Sequence, residues 1–190
     1  MVVLNELTPA DRHRAVAAGF TEHASAVRNW AAPTPVNDWV ARDIVAHLVN
    51  WFTEFLRAGG VALPAGPPID DDPLAAWLVH TDGVQALLDS EAADDDFSHP
   101  MAGDHRLADA VDRFYTADVY MHTWDLATSN GQKSGLEPEF AAQLLAGMAG
   151  IEDLLRSSGQ YGPPVEVDDD ADPVTRLAGF IGRDPAWSGP

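Results

Sequence analysis

Apolar residues recur at helical spacing over long stretches of this chain, and runs rich in proline and glycine separate these stretches. The segment from Val40 to Phe55, for example, places Val40, Ile44, Trp51 and Phe55 on one helical face at intervals of four or seven residues, which is typical of a helix that buries one face. The intervening runs AAPTPVND, VALPAGPPIDDD and SGQYGPP contain prolines that cannot sit inside a helix. Strand-like alternation is almost absent. The sequence therefore predicts helices joined by loops.

Five long helices and one short one are expected. Thr8 is positioned to cap the first helix, with Pro9 at its first helical position. Asn37 is expected to cap the second helix and to place Asp38 in its first turn. The predicted ranges are about 8–30, 37–58, 73–91, 107–128 and 138–157, with a short helix within 172–187.

The fold class predicted from these segments is all-α, as a four-helix bundle with an extra C-terminal helix or tail. The 190 residues suffice for one core, so a single domain over 1–190 is expected. About 1–160 would form the bundle, and 161–190 would be a tail that packs on it. Several connections are long enough for helices that follow each other in sequence to pack apart.

Composition excludes several classes of site and partner. The chain has no cysteine, which rules out disulfides, a cysteine nucleophile and cysteine-ligated zinc or iron–sulfur clusters. Its 11 Lys and Arg against 30 Asp and Glu give a charge of −19, which argues against nucleic-acid binding. No apolar run reaches the roughly 18 residues that a membrane span requires. The N-terminal stretch does not resemble a signal peptide, so a cytoplasmic protein is expected.

Polar residues that are capable of metal binding or acid–base chemistry fall on the predicted core faces of two helices. At about 100° per residue, Asp118, His122 and Asp125 share one stripe of the fourth helix with its apolar residues. Thr116, Tyr120 and Thr123 fall on the opposite face, together with Asp109 and Arg113. On the second helix, the stripe places His47 at its centre, and its members are Val40, Asp43, Ile44, His47, Asn50, Trp51 and Phe55.

This placement predicts a metal site. A buried carboxylate needs a partner, and the spacing of Asp118 and His122 lets both grip one ion. With His47 from the second helix they form a three-ligand site that leaves a position open, as catalytic metal sites do. Two histidines and a carboxylate suit zinc first, with nickel, iron or manganese as alternatives. The competing interpretation is an Asp118–His122 ion pair beside a hydrogen-bonded core histidine.

The sequence gives weaker evidence of a functional role for Asp125, the remaining histidines and the aromatic residues. Asp125, one turn beyond His122, could orient that ligand from outside the metal's own shell or help to cap the helix end. Loop, surface or core roles are favoured for the other histidines, which are His13, His23, His80, His99 and His105. Packing roles are favoured for Trp51, Tyr115 and Trp124. No side chain is assigned as a catalytic acid, base or nucleophile.

Three blocks of the sequence resemble one family. PTPVNDWVARDIVAHLVNW, DVYMHTWDLA and YGPPVEV…RLAGFIGRDPAW are similar to actinobacterial DinB-like metal-binding proteins, which are related to the N-terminal domain of mycothiol-dependent maleylpyruvate isomerase. The resemblance implies a four-helix bundle with a divalent metal, and it maps the ligands onto His47, Asp118 and His122. The isomerase commonly has Glu where this chain has Asp118. It also carries a second C-terminal domain, whereas this chain has only its short tail.

The resemblance implies a metal-dependent S-transferase or isomerase that uses a thiol such as mycothiol on a small electrophile. A non-catalytic metal-binding module and a thiol-independent tailoring enzyme are the alternatives. A small molecule is the expected partner, and a homodimer is left open. Fold likeness alone does not choose among these functions.

Overall fold

A computed structural model of the chain describes residues 3–157 and 161–189. Its helices are α1 Pro9–Ala26, α2 Ala41–Ala58, α3 Pro73–Leu88, α4 Leu107–Ala110, α5 Ala117–Ser129, α6 Pro138–Ala149, α7 Glu152–Ser157 and α8 Pro173–Phe180. A π-helical segment, Val111–Thr116, joins α4 to α5, and short 3-10 turns lie at Leu4–Glu6 and Glu91–Asp94. Two strands, β1 Asp96–His99 and β2 Gly103–Arg106, form an antiparallel hairpin. Among the described residues, no helix is both long and apolar enough to cross a membrane.

Four helices enclose the core, which confirms the predicted all-α bundle. Both α1 and α2 pack against α3 and against α5. The first two helices are therefore held in the bundle through α3 and α5. α6 packs on α8 outside this ring. The largest fully buried side chains include Phe20, Ile44, Leu48, Phe52, Trp77, Tyr115 and Leu126.

The start of α1 is as predicted, but the start of α2 is not. The Thr8 side chain accepts a hydrogen bond from the Asp11 backbone N–H, and Pro9 begins the helix. Asn37 does not cap α2, because the backbone at Asp38 is left-handed (φ 64°) and the helix begins only at Ala41. The Asp43 carboxylate instead accepts from the Val40 N–H at 2.8 Å. Residues 33–40 close into a loop in which the Thr34 N–H donates to the Trp39 carbonyl at 3.0 Å.

The buried face of α2 is rotated from the predicted one. Ile44, Val45, Leu48, Phe52 and Leu56 are fully buried. His47 was predicted at the centre of the buried stripe, but its side chain is 32% exposed and lies at the edge of the core. Asn50, also assigned to the stripe, is exposed. The edge position gives His47 access to solvent.

α5 is buried on nearly all sides, which corrects the prediction of an opposite, outward face. Thr116, Tyr120 and Thr123 lie in the interior, and the Tyr120 hydroxyl donates to the Glu137 carbonyl at 2.7 Å. α1 covers this side of α5. The π-helical segment also changes the register, because its wider turn shifts the faces of the residues that follow.

Two further predictions of secondary structure were wrong. The helix expected over 138–157 is broken at Gly150 and Ile151 into α6 and α7. The predicted loop before the fourth helix contains the β1–β2 hairpin, in which Phe97 pairs with His105. Phe97 packs against Gly59, where an added Cβ would lie 2.1 Å from the ring. The glycine that ends α2 therefore lets the hairpin close on the bundle.

Two histidines are buried inside the bundle, consistent with the core roles allowed for them. The His13 ring is fully buried and its Nδ1 lies 3.2 Å from the Thr116 hydroxyl. The His80 ring lies 5.5 Å from the Tyr115 ring. Burial lowers the pKa of His13 to about 3, with a further contribution from His80, and burial lowers the pKa of His80 to about 4. Both rings are therefore neutral in the folded chain near neutral pH.

This burial predicts a stability that falls in mild acid. An unfolded histidine takes up a proton near pH 6.5, whereas the folded His13 and His80 do not until about pH 3 and 4, so protons favour the unfolded chain between these values. Each histidine should add up to about 1.4 kcal/mol per pH unit to the slope of unfolding free energy against pH. Chemical denaturation of His13→Asn and His80→Asn between pH 7 and pH 4.5 should give a shallower slope than the parent chain. Val84→Ala, which weakens the core without removing a titrating group, should keep the parental slope. Equal slopes in all four proteins would contradict the prediction.

Candidate metal centre

α2 and α5 bring the three predicted ligands together. His47, Asp118 and His122 each offer one ligand atom, and these atoms all lie within 4.8 Å of one another. His47 Nε2 lies 3.1 Å from Asp118 Oδ2, and His122 Nε2 lies 3.6 Å from Asp118 Oδ1. In a tetrahedral zinc site with bonds of 2.0–2.1 Å, neighbouring ligand atoms are about 3.3 Å apart. Two of the separations are close to this value, and the group could hold a metal ion.

Asp125 and Arg183 fix the orientation of His122. Asp125 Oδ2 lies 2.8 Å from His122 Nδ1. An ionised carboxylate only accepts hydrogen bonds, so Nδ1 carries a proton, and Nε2 is the nitrogen that faces Asp118 and could bind a metal. Arg183, which follows α8, holds Asp125 in turn through contacts of 2.9 Å and 3.1 Å. The tail thus supports the site from behind, as the outer partners of metal ligands do.

Asp118 is held as a carboxylate by contacts from α2. Its Oδ2 accepts a hydrogen bond from Trp51 Nε1 at 2.9 Å and stands beside His47 Nε2. Burial by itself would raise the pKa of Asp118, but the His122 ring together with the hydrogen bonds from His47 and Trp51 outweighs burial and lowers it. The carboxylate is therefore ionised near neutral pH and available as a ligand.

Two carboxylates shift the pKa of His122 in the opposite direction. Burial lowers its pKa, yet Asp118 and Asp125 together outweigh burial and raise the pKa above the ordinary value. A proton on His122 is thus stabilised by the two carboxylates. A cation placed between His47, Asp118 and His122 would be stabilised in the same way.

Aromatic rings and an open cleft border the group. The Trp39 ring lies 5.2 Å from the His47 ring and is stacked at 5.8 Å from the His122 ring. An open cleft of about 630 Å³ begins beside His47. It is lined by Trp39, Asp43, Ala46, His47, Asn50, Trp51 and Glu54. A small molecule can therefore approach His47 from solvent.

Three residues at the site were not assigned to it from the sequence. Trp51 was predicted to pack, but its indole N–H binds Asp118. Trp39 and Arg183 received no individual role, although both lie within the quoted blocks that resemble the family. Trp39 depends on the closed loop over 33–40, and Arg183 on the docking of the tail. Helical periodicity contains no information about either.

The other histidines lie apart from this group. His13 and His80 are in the core, and His99 and His105 belong to the hairpin, where they bind backbone atoms of their own loop. His23 lies at the surface beside Gln132, 2.8 Å from its side-chain oxygen. Within the described part of the chain, His47, Asp118 and His122 are the one cluster of histidine and acidic side chains with metal-like spacing.

Removal of Arg183 should destabilise the fold through Asp125. The Asp125 side chain is fully buried and that of Arg183 is 12% exposed, so Arg183→Leu leaves a buried carboxylate with only His122 as its partner. We expect a loss of about 3 kcal/mol in unfolding free energy, which is typical of breaking a buried pair. Arg176→Leu, an exposed site on α8, should cost less than about 0.5 kcal/mol. Urea denaturation of both variants tests this, and equal losses would contradict the supporting role of Arg183.

Comparison with known proteins finds two similar uncharacterized proteins of Mycobacterium tuberculosis, one from each of two strains. Each is 29% identical to this chain over 157 residues, which cover 80% of this chain and 83% of the relative. No protein-family model matches the chain. No solved structure gives a significant match. The chain is thus similar over most of its length to mycobacterial proteins whose names state no activity.

Proposed function

We propose that the protein binds one zinc ion through His47, Asp118 and His122 and uses this centre to activate a small thiol for transfer to an electrophile. The observation that supports the metal is the convergence of three ligand atoms within 4.8 Å, with the tautomer of His122 fixed by Asp125. The donor set of two imidazoles and one carboxylate is typical of catalytic zinc, and it leaves a coordination position free.

Zinc, when bound, supplies one effect to this chemistry, because coordination lowers the pKa of a thiol so that thiolate forms at neutral pH. The residues of the chain do the rest. Asp125 and Arg183 keep His122 oriented, and Trp51 keeps the Asp118 carboxylate in place. Trp39 packs beside the two imidazoles, and the open cleft that it lines beside His47 would admit the thiol and its electrophile.

The support for a thiol is separate from the support for a metal. The chain has no cysteine, so the sulfur would have to come from a second molecule. The resemblance to DinB-like proteins suggests mycothiol, and the mycobacterial origin of the relatives agrees with this choice. A metal-binding module without catalysis, or a thiol-independent enzyme on the same bundle, uses the same three ligands.

The metal site predicts about one divalent ion per chain after reloading with zinc. His122→Ala should weaken zinc binding by more than about 100-fold, since even the loss of an outer partner costs 10- to 100-fold. His23→Ala, at the surface on α1, should bind zinc like the parent chain. Elemental analysis and a competing chelator measure both quantities, and circular dichroism checks that α5 remains helical. Less than about a tenth of an ion per chain in the reloaded parent would refute the metal site.

The thiol function predicts a spectroscopic signal in cobalt-substituted protein. A thiolate bound to Co(II) adds a charge-transfer band in the near-ultraviolet, so titration with mycothiol should produce this band. His47→Ala, which loses one ligand and the edge of the cleft, should not form it. A band that is absent from the cobalt-loaded parent would refute thiol binding at the metal and favour the module or the thiol-independent enzyme. Turnover of small electrophiles and esters would then separate these two.

A further inference from the structure

The cleft beside His47 has a chemical character of its own. One wall is the Trp39 ring, and the floor is a single face of α2 that runs from Asp43 to Glu54. His47 belongs both to the metal group and to this cleft. A molecule held at the metal group would therefore rest its remaining atoms against the cleft, and the cleft would select among ligands.

The ionisable side chains of the cleft, apart from His47, are carboxylates. These are Asp43 and Glu54, and the cleft is lined by neither lysine nor arginine among the described residues. Asp43 also accepts the Val40 N–H, which leaves its negative charge in place. Glu54 pairs with Arg57, but the two side chains are 61% and 72% exposed. An ion pair this exposed to water is weak, so Arg57 leaves the charge of Glu54 available to a ligand.

Arginines outside the cleft do not supply a clamp for an anion. The Arg183 guanidinium is committed to Asp125 behind His122. Arg42 lies at the exposed start of α2, outside the lining of the cleft. Since the whole chain carries −19, its field also repels anions from the surface around the opening.

The tryptophans also favour a cation in the cleft. The indole faces of Trp39 and Trp51 are half-buried at the cleft, and the face of an indole attracts ammonium groups. The exposed amide of Asn50 can accept a hydrogen bond from an ammonium or hydroxyl group. Carboxylates, aromatic faces and an amide together form a surface for a cation.

We propose that this cleft selects its ligand by charge: it binds an ammonium-bearing group beside the metal position, binds the uncharged equivalent less well and rejects a carboxylate. The step from cleft to substrate rests on the function proposed above, and it assigns to that function an amine-bearing electrophile. A dicarboxylate such as maleylpyruvate does not suit this surface.

The test uses the full, metal-free chain and three probes of one shape, which are benzylamine, benzyl alcohol and benzoate. Binding is followed by NMR through the indole N–H signals of Trp39 and Trp51. Benzylamine, a cation at neutral pH, should bind about 3- to 5-fold more tightly than benzyl alcohol, and benzoate should bind most weakly. The preference for the cation should shrink as salt is raised from 20 mM to about 500 mM.

Matched variants distinguish the cleft from the charge of the whole protein. Glu54→Gln should reduce the preference for benzylamine, whereas Glu22→Gln, which removes the same charge from an exposed position on α1, should leave it unchanged. Equal affinities for the three probes, tighter binding of benzoate, failure of all three to bind, or equal effects of the two variants would overturn the proposal. The probes carry no thiol and the protein carries no metal, so this result is independent of whether the cobalt–thiolate band forms.

Discussion

The Asp118 carboxylate joins α2 to α5, and the candidate site is organised around this one contact. A carboxylate taken out of water costs several kcal/mol unless charges or hydrogen bonds compensate it. Here Trp51 and His47 approach from α2, and His122 approaches from one turn further along α5. These contacts hold the His47 and His122 rings next to Asp118, where both could share a cation with it. An Asp118–His122 ion pair and a bound metal ion would therefore use the same side-chain positions.

The position of this contact at the margin of the core decides what the site can do. The apolar side chains of α2, such as Ile44 and Leu48, face inwards, and His47 is turned towards the cleft. A histidine at the centre of the stripe would have been closed off from any substrate. At the edge it could share an ion with the buried pair on α5 and still be reached from solvent. The rotation of α2 is thus the feature that separates an accessible centre from a structural one.

The sequence predicted the parts of this arrangement that depend on local chemistry. Thr8 and Pro9 marked the start of α1, and the spacing of Asp118 and His122 indicated that their side chains lie side by side, as the 3.6 Å contact shows. Features that depend on tertiary packing were missed. Asn37 is a good cap by residue type, but the closed loop over 33–40 delays the helix to Ala41. The outward face assigned to α5 is buried because another helix covers it, and no periodicity within α5 reports that neighbour. Arg183 reaches Asp125 across 58 residues of sequence, beyond any local pattern.

The bundle also contains histidines with the opposite chemistry, and their neighbours explain the difference. His13 has a hydroxyl partner from Thr116, and both His13 and His80 are kept neutral by burial. His122 is buried as deeply, yet two carboxylates raise its pKa. Burial alone thus makes a histidine an uncharged packing group, whereas a carboxylate at each ring nitrogen makes it a place where positive charge is stabilised. A metal ion is such a charge. The carboxylates around His122, more than the histidines themselves, therefore distinguish the candidate centre from the rest of the core.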